Sequence, residues 1–278
     1  MGVTNAKAGM KLNGIIESYI AGPGGMNAGD FAKYVNEGHG TDTAINTSAA
    51  HTGNAISAVA LDSTHVFIAH SYNSSYYLYG IVCTISGTTI TVGTDTAINS
   101  SVNSGSAISA VALDSTHVFI AHSYNSSKYY LYGIVCTISG TTITVGTDTA
   151  INSSAHSGSA ISAVALNASD VIIYHHAPSS TATLYYVDVS ISGTTIAVGT
   201  DTQLVSDSYS GAYISAIPAD SFGTIFVAHS YSSSYYLYAI AKPYDSVVTV
   251  SSSSDTILGV SKQTKAEGEA VNIVVPDV

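Results

Sequence analysis

Four histidines, His70, His122, His175 and His229, occupy one equivalent position in successive copies of a repeated text. Imidazole is the commonest metal ligand and titrates near neutral pH. Four such rings about a common axis would therefore suggest a metal centre. Ligation requires donors within about 2 Å of the ion, however, and residues on the second strand of each unit stand well back from such an axis. The spacing therefore favours half-buried imidazoles bonded to nearby backbone, with no metal and no cofactor. His65 and His117 give way to Asp170 and Thr224 in later copies and read as surface variation.

Two acid series repeat as well. Asp62, Asp114 and Asp220, with Asn167 in the third copy, fall in turns. There Asp and Asn bond their own backbone without any metal, and no Asp-x-Asp-x-Asp calcium loop accompanies them. Asp42, Asp95, Asp148, Asp201 and Asp255 form the second series. Regular repetition argues for a structural task in each unit, whereas an active site is a single asymmetric cluster. With no nucleophile motif, carboxylate pair or phosphate loop, the chain reads as a non-enzyme.

The surface feature with most binding chemistry is the segment Ser71-Tyr72-Asn73-Ser74-Ser75-Tyr76-Tyr77. It returns around Tyr124, Asn125 and Tyr129, and again around Tyr231 and Tyr235. Tyrosine offers a flat apolar face and a hydroxyl at low entropy cost, and Ser and Asn adapt their hydrogen bonds. Tyr72, Asn73, Tyr76, Tyr124, Asn125, Tyr129, Tyr231 and Tyr235 are thus the candidate ligand-binding residues, suited to a glycan or a host-surface protein. The third copy breaks the pattern with Ala177-Pro178-Ser179-Ser180. The alternative is an ordinary polar loop whose tyrosines pack between units.

These residues are carried by a repeat. Gly40, Gly93, Gly146 and Gly199 open the Gly-Thr-Asp-Thr tag at intervals of 53 residues, a period that marks stacked or radially arranged supersecondary units. In the first unit, Ala55 to Leu61 reads as a strand of small residues, His65 to Tyr72 as a second and Tyr76 to Ile85 as a third. Thr88 to Ile98 reads as a fourth strand, broken at Gly93. Short β-branched and aromatic runs bounded by Asp, Asn, Ser and Gly are the mark of hairpin-linked strands. The expected fold is all-β: four units over residues 40–250 forming a small, four-bladed β-propeller. The small-residue strands would lie innermost, and the extra tag at Gly40–Asn46 would complete the last blade and lock the ring. A linear β-array or stacked sandwich is the alternative.

Composition narrows the function classes. Charged residues make up 9% of the 278, the net charge is −11, and all seven basic residues are lysine. Neutralising phosphates needs clustered cations, so nucleic acid is not an expected partner, and an anionic membrane surface is disfavoured too. Cys83 and Cys136 hold equivalent places in neighbouring units and read as buried thiols rather than a disulfide. The N-terminus leads into no signal-peptide core, and no apolar run reaches the roughly 18 residues of a membrane span.

Residues 1–39 and 251–278 fall outside the repeat and read as one small β-domain into which the propeller is inserted. Ala28-Gly29-Asp30-Phe31-Ala32-Lys33-Tyr34-Val35 is similar to an "aGDfV" element near the start of small β-domains in structural proteins of tailed bacteriophages. Ile257-Leu258-Gly259-Val260-Ser261, followed by Ala266 to Ile273, resembles their closing "GVA…aGe.V.V" element, with Ser261 where Ala is commoner. The resemblance implies a virion structural protein, a capsid decoration or a head or tail fibre, assembled in the host bacterial cytoplasm. It implies docking on major capsid or tail proteins through Gly29, Asp30, Phe31, Gly259 and Val260, and homo-oligomers, with many copies gaining avidity for host glycans. The competing reading is a bacterial repeat lectin or adhesin with no virion role.

Overall fold

A computed structural model describes residues 40–47, 53–72, 74–124, 128–154, 157–176, 183–205, 210–219, 224–231 and 236–243. Every described strand lies in the unit Asp42–Val278. The first sheet comprises β1 (Ile56–Ala60), β2 (His65–Tyr72), β3 (Tyr77–Ser86), β4 (Thr89–Val92) and β5 (Thr96–Asn99). The Asp62 carboxylate accepts the amides of Thr64 and His65 at 2.7 and 2.8 Å, closing the β1–β2 turn. Gly87 turns β3 into β4 with a φ of 58°, the left-handed backbone a two-residue hairpin loop demands and glycine supplies at little cost.

The outer strand is split. β4 pairs with the far half of β3, from Cys83 to Ser86, and β5 with the near half, from Leu78 to Gly80. Between them Gly93 donates its amide to the Val82 carbonyl at 3.0 Å. A Cβ there would run into that carbonyl oxygen. The break expected at Gly93 is therefore real, and a close approach of two backbones enforces it.

The second sheet repeats this with β6 (Ile108–Ala112), β7 (His117–Tyr124), β8 (Tyr130–Ser139), β9 (Thr142–Val145) and β10 (Thr149–Asn152). The third has β11 (Ile161–Ala165), β12 (Asp170–His176), β13 (Leu184–Ser192), β14 (Thr195–Val198) and β15 (Thr202–Gln203). In the fourth, β16 (Ser210–Pro218), β17 (Thr224–Tyr231) and β18 (Leu237–Pro243) are described. All pairings are antiparallel, and no helix occurs among the described residues.

Side chains alternate along a strand, so the second and third sheets each pack both faces against a neighbour. Phe67, Ala69, Leu78 and Val82 point forward into the second sheet, where Ala110, Val118, Ile120 and Ile134 receive them. Phe119, Leu131 and Val135 meet Ala163, Val171 and Ile173 of the third sheet in the same way. Ile172, Tyr174 and Leu184 then meet Ala216, Ile225 and Val227 of the fourth. The inner strands run side by side, β1 on β6, β6 on β11 and β11 on β16. Each junction is pinned by one hydroxyl: Ser57, Ser109 and Ser162 accept the amides of Ala110, Ala163 and Ala216 at 2.9 Å each.

The all-β class, the antiparallel sheets and the strand positions agree with the sequence reading. Contacts link the four sheets in sequence order, and among the described residues no junction of that extent joins β1 to β16. Among the described residues no strand pairs with the outer edge of β18. The proposed docking residues Gly29, Asp30, Phe31, Gly259 and Val260 lie outside the described residues.

Candidate functional site

The repeated histidines and the second acid series meet. His70 is buried, and its Nδ1 lies 2.9 Å from the Ser71 carbonyl. A carbonyl can only accept, so Nδ1–H donates, which fixes the ring and aims Nε2 at Asp95 Oδ1, 3.1 Å away. His122 bonds the carbonyls of Ser104 and Ser123 and reaches Asp148 at 3.0 Å. His175 bonds the His176 carbonyl and reaches Asp201 at 2.8 Å. Backbone bonding is as expected; the carboxylate partner is the addition.

The second oxygen of each carboxylate faces the preceding unit. Asn99 Nδ2 donates to Asp148 and Asn152 Nδ2 to Asp201, both at 2.6 Å, and Asn46 donates to Asp95. A His–Asp pair is half of a relay that could activate a nucleophile. Here the acid is already occupied on both oxygens, and the arrangement repeats in the first three copies. It staples one unit to the next. The sequence held a signal for it, since the His and Asp series keep a constant offset of 25 or 26 residues. The Asn partner follows the Asp by four residues in Gly-Thr-Asp-Thr-Ala-Ile-Asn, and the third unit carries Val205 there instead. At that junction Lys242 of β18 sits 4.2 Å over the Tyr186 ring.

The turn acids are spent on local bonds. The Asp62 carboxylate takes the Thr64 amide, the Thr64 hydroxyl and His65, which hold its pKa well below the usual carboxylate range. For Asp114, partial burial alone would raise the pKa. The bonds from Thr116 and His117 outweigh it and leave a net lowering. His65 and His117 are thus turn partners as well as variable surface positions. Asn167 caps its turn by accepting the Ser169 and Asp170 amides. Among the described residues no group of three or more His, Cys, Asp or Glu side chains is placed to hold a metal. Cys83 and Cys136 are free and buried; burial pushes the Cys136 thiol up to about 12.

The tyrosine segments of the first and second units lie at one end of their sheets. Tyr72 stacks on Tyr79 with centroids 4.5 Å apart, and Tyr124 tilts on Tyr132 at 4.8 Å. Tyr79 also touches the His70 ring, and burial, then Tyr72 and Asp95, raise its hydroxyl pKa. Tyr76 and Tyr129 adopt left-handed backbone, φ 53° and 46°, which costs a non-glycine residue of order 1 kcal/mol. Their carbonyls accept the amides of Gly105 and Gly158 at 2.6 and 2.5 Å, so the linker between units locks each loop. All four of these candidates, Tyr72, Tyr76, Tyr124 and Tyr129, are half-buried. Tyr231 ends β17 opposite Ser210. Asn73, Asn125 and Tyr235 lie outside the described residues. The structure thus groups Tyr72 with Tyr79 and Tyr124 with Tyr132, and Tyr79 and Tyr132 are the members that loop-based reasoning passed over. Their place two residues into β3 and β8, facing His70 and His122 in register, was the available signal.

No protein-family model matches the chain, and no curated protein matches it.

Proposed function

We propose that this chain is a bacteriophage virion structural protein that decorates a capsid or tail and presents its β-repeats as a host-adhesive surface. The terminal motifs around Gly29-Asp30-Phe31 and Gly259-Val260 support the virion assignment by resemblance. The sheets are read as blades of a propeller-like assembly, with β1, β6, β11 and β16 innermost. What supports this is the smallness of their residues and the repeated Ser-to-amide bond between neighbours.

The observation that carries the adhesive reading is the repeated tyrosine pair on the strands that flank a locked loop. Half-exposed aromatic faces beside Ser and Asn suit the apolar faces and hydroxyls of a sugar, and the pre-set backbone of Tyr76 and Tyr129 lowers the ordering cost of binding. Each site is weak alone and gains through multiplicity on a particle. Mass spectrometry of purified virions should detect the chain among the stoichiometric structural proteins. Its absence there overturns the virion role and leaves the bacterial adhesin. A glycan array probed with the full chain should show binding that Tyr72→Ala with Tyr124→Ala abolishes; an array with no binding overturns adhesion.

A further inference from the structure

The junction between the third and fourth sheets is fastened differently from the two before it. In those two, one pair of facing positions is apolar. Val82 of β3, in register with Phe67, shares a cluster with Cys136 of β8, in register with Val118. Val135 of β8, in register with Phe119, shares the next cluster with Val189 of β13, in register with Val171. All four are buried. At the third junction the same two places hold Asp188, in register with Ile172, and Lys242, in register with Ile225.

Both charged side chains stand on the junction side. Leu184, Tyr186 and Ile240 belong to the cluster that joins the third and fourth sheets. Asp188 lies two residues beyond Tyr186 and Lys242 two beyond Ile240, so alternation puts them on the same faces. Lys242 Nζ sits 4.2 Å over the Tyr186 ring, which itself fills the place of Gly80 and Gly133. Asp188 still reaches solvent, and the desolvation it does suffer raises its pKa. The Lys242 charge opposes that rise and Asp170 adds to it.

The repeats create a sorting problem that such a pair can solve. Ile56–Tyr72 recurs letter for letter as Ile108–Tyr124, so these strands offer the same faces while the chain folds. Apolar pairs carry no information on which sheet meets which, and misassembly between like units is a characteristic failure of repeat proteins. Against Cys83, Cys136 or Val189, Asp188 would meet no cation. Against Val82 or Val135, Lys242 would meet no anion, and it would lose the Tyr186 ring. A charge set in an apolar junction without its partner is costly.

We infer that Asp188 and Lys242, with Tyr186, form a recognition pair that admits only the fourth sheet to the forward face of the third. The same pair bars the third and fourth sheets from the like faces of the first two, within one chain or between two folding chains. It decides which sheets meet, and it adds little to how tightly they hold, because a charge pair at a junction is no stronger than well-packed apolar residues in its place. The inference rests on the register of the repeats and is independent of a virion role.

Refolding of the full chain from denaturant tests it, read by the return of the native tyrosine near-ultraviolet circular dichroism and by light scattering. Asp188→Val with Lys242→Val should keep the denaturant midpoint of the unsubstituted protein or raise it. Its native yield should nonetheless fall severalfold below that of the unsubstituted protein as chain concentration rises, the lost fraction appearing as larger species. Asp188→Lys alone should lower both midpoint and yield. Asp188→Lys with Lys242→Asp should recover most of the yield. An apolar pair that refolds no worse than the unsubstituted protein at every concentration overturns the proposal, because the charges then sort nothing. A lowered midpoint in the apolar pair also overturns it, since the charges then act as an ordinary stabilising contact. So does a charge exchange that recovers nothing beyond the single variant, because the two residues then do not read each other.

Discussion

The Asn99 amide of the first sheet and the Asp148 carboxylate of the second lie 2.6 Å apart, while His122 holds the other carboxylate oxygen at 3.0 Å. One acid thus ties a strand of its own sheet to the preceding unit. Hydrogen bonds to charged groups contribute about 1.5–3 kcal/mol each. Asn99→Ala should therefore lower stability by about that amount in denaturant titration. Asn99→Asp should cost more, because it sets a second carboxylate against Asp148. A double-mutant cycle of Asn99→Ala with Asp148→Ala should show coupling, since the two residues touch. Additive losses would remove the staple as an energetic element.

A second relationship concerns volume. Gly133 lies under the Phe119 ring, and a Cβ there would stand 2.9 Å from two ring carbons. The third unit makes the opposite choice, with Tyr186 in the glycine's place and Ile172 in the phenylalanine's. Overpacking of this kind costs about 1–3 kcal/mol. Gly133→Ala should lose stability in that range, and adding Phe119→Ile should recover part of it. Thermal melts of the single and double variants decide the matter: no recovery means that the backbone, not the ring, rejects the methyl group.

The fourth sheet gives the array a pH dependence. His229 is buried, and burial lowers its pKa from the model-compound value of 6.5. The unfolded chain therefore takes up a proton more readily than the folded one as pH falls through 6.5. The stability associated with the neutral ring is present above that pH and is lost below it. Denaturant midpoints at pH 7.5 and 5.5 should differ more for the unsubstituted protein than for His229→Gln; equal differences would show that another group governs the slope.

Much of this fold is legible in the sequence because the repeat states each element several times. His65–Tyr72 was expected as a strand and is β2 to the residue, bounded by an Asp turn on one side and Asn-Ser-Ser on the other. Gly93 marks the split of the outer strand because only glycine tolerates the Val82 carbonyl. The site was less legible. His70 was read against backbone alone because Asp95 lies 25 residues away, and nothing local in either stretch announces the other. Tyr79 was hidden because it sits in a strand, where alternation explains a tyrosine without any partner. Side-chain volumes at the junctions also differ between units, Phe67 over Gly80 in the first against Ile172 clustered with Tyr186 in the third, and no motif spells out that exchange.

The thiols provide a direct probe of the junctions. Cys136 belongs to the cluster between the first and second sheets, beside Ile134 and Ile138, and burial raises its pKa to about 12. Because the thiolate is the reactive form, Cys136 should stay inert to a disulfide reagent at pH 8 while the junction is intact. With reclosing faster than reaction, its labelling rate should scale with the equilibrium population of the opened junction and with reagent concentration. The staple links the same two sheets, so Asn99→Ala should accelerate Cys136 labelling by the factor its stability loss implies, roughly tenfold for each 1.4 kcal/mol. Labelling kinetics on the Cys83→Ser background measure this directly. A rate unchanged by Asn99→Ala would mean that the first and second sheets separate by a route the staple does not guard.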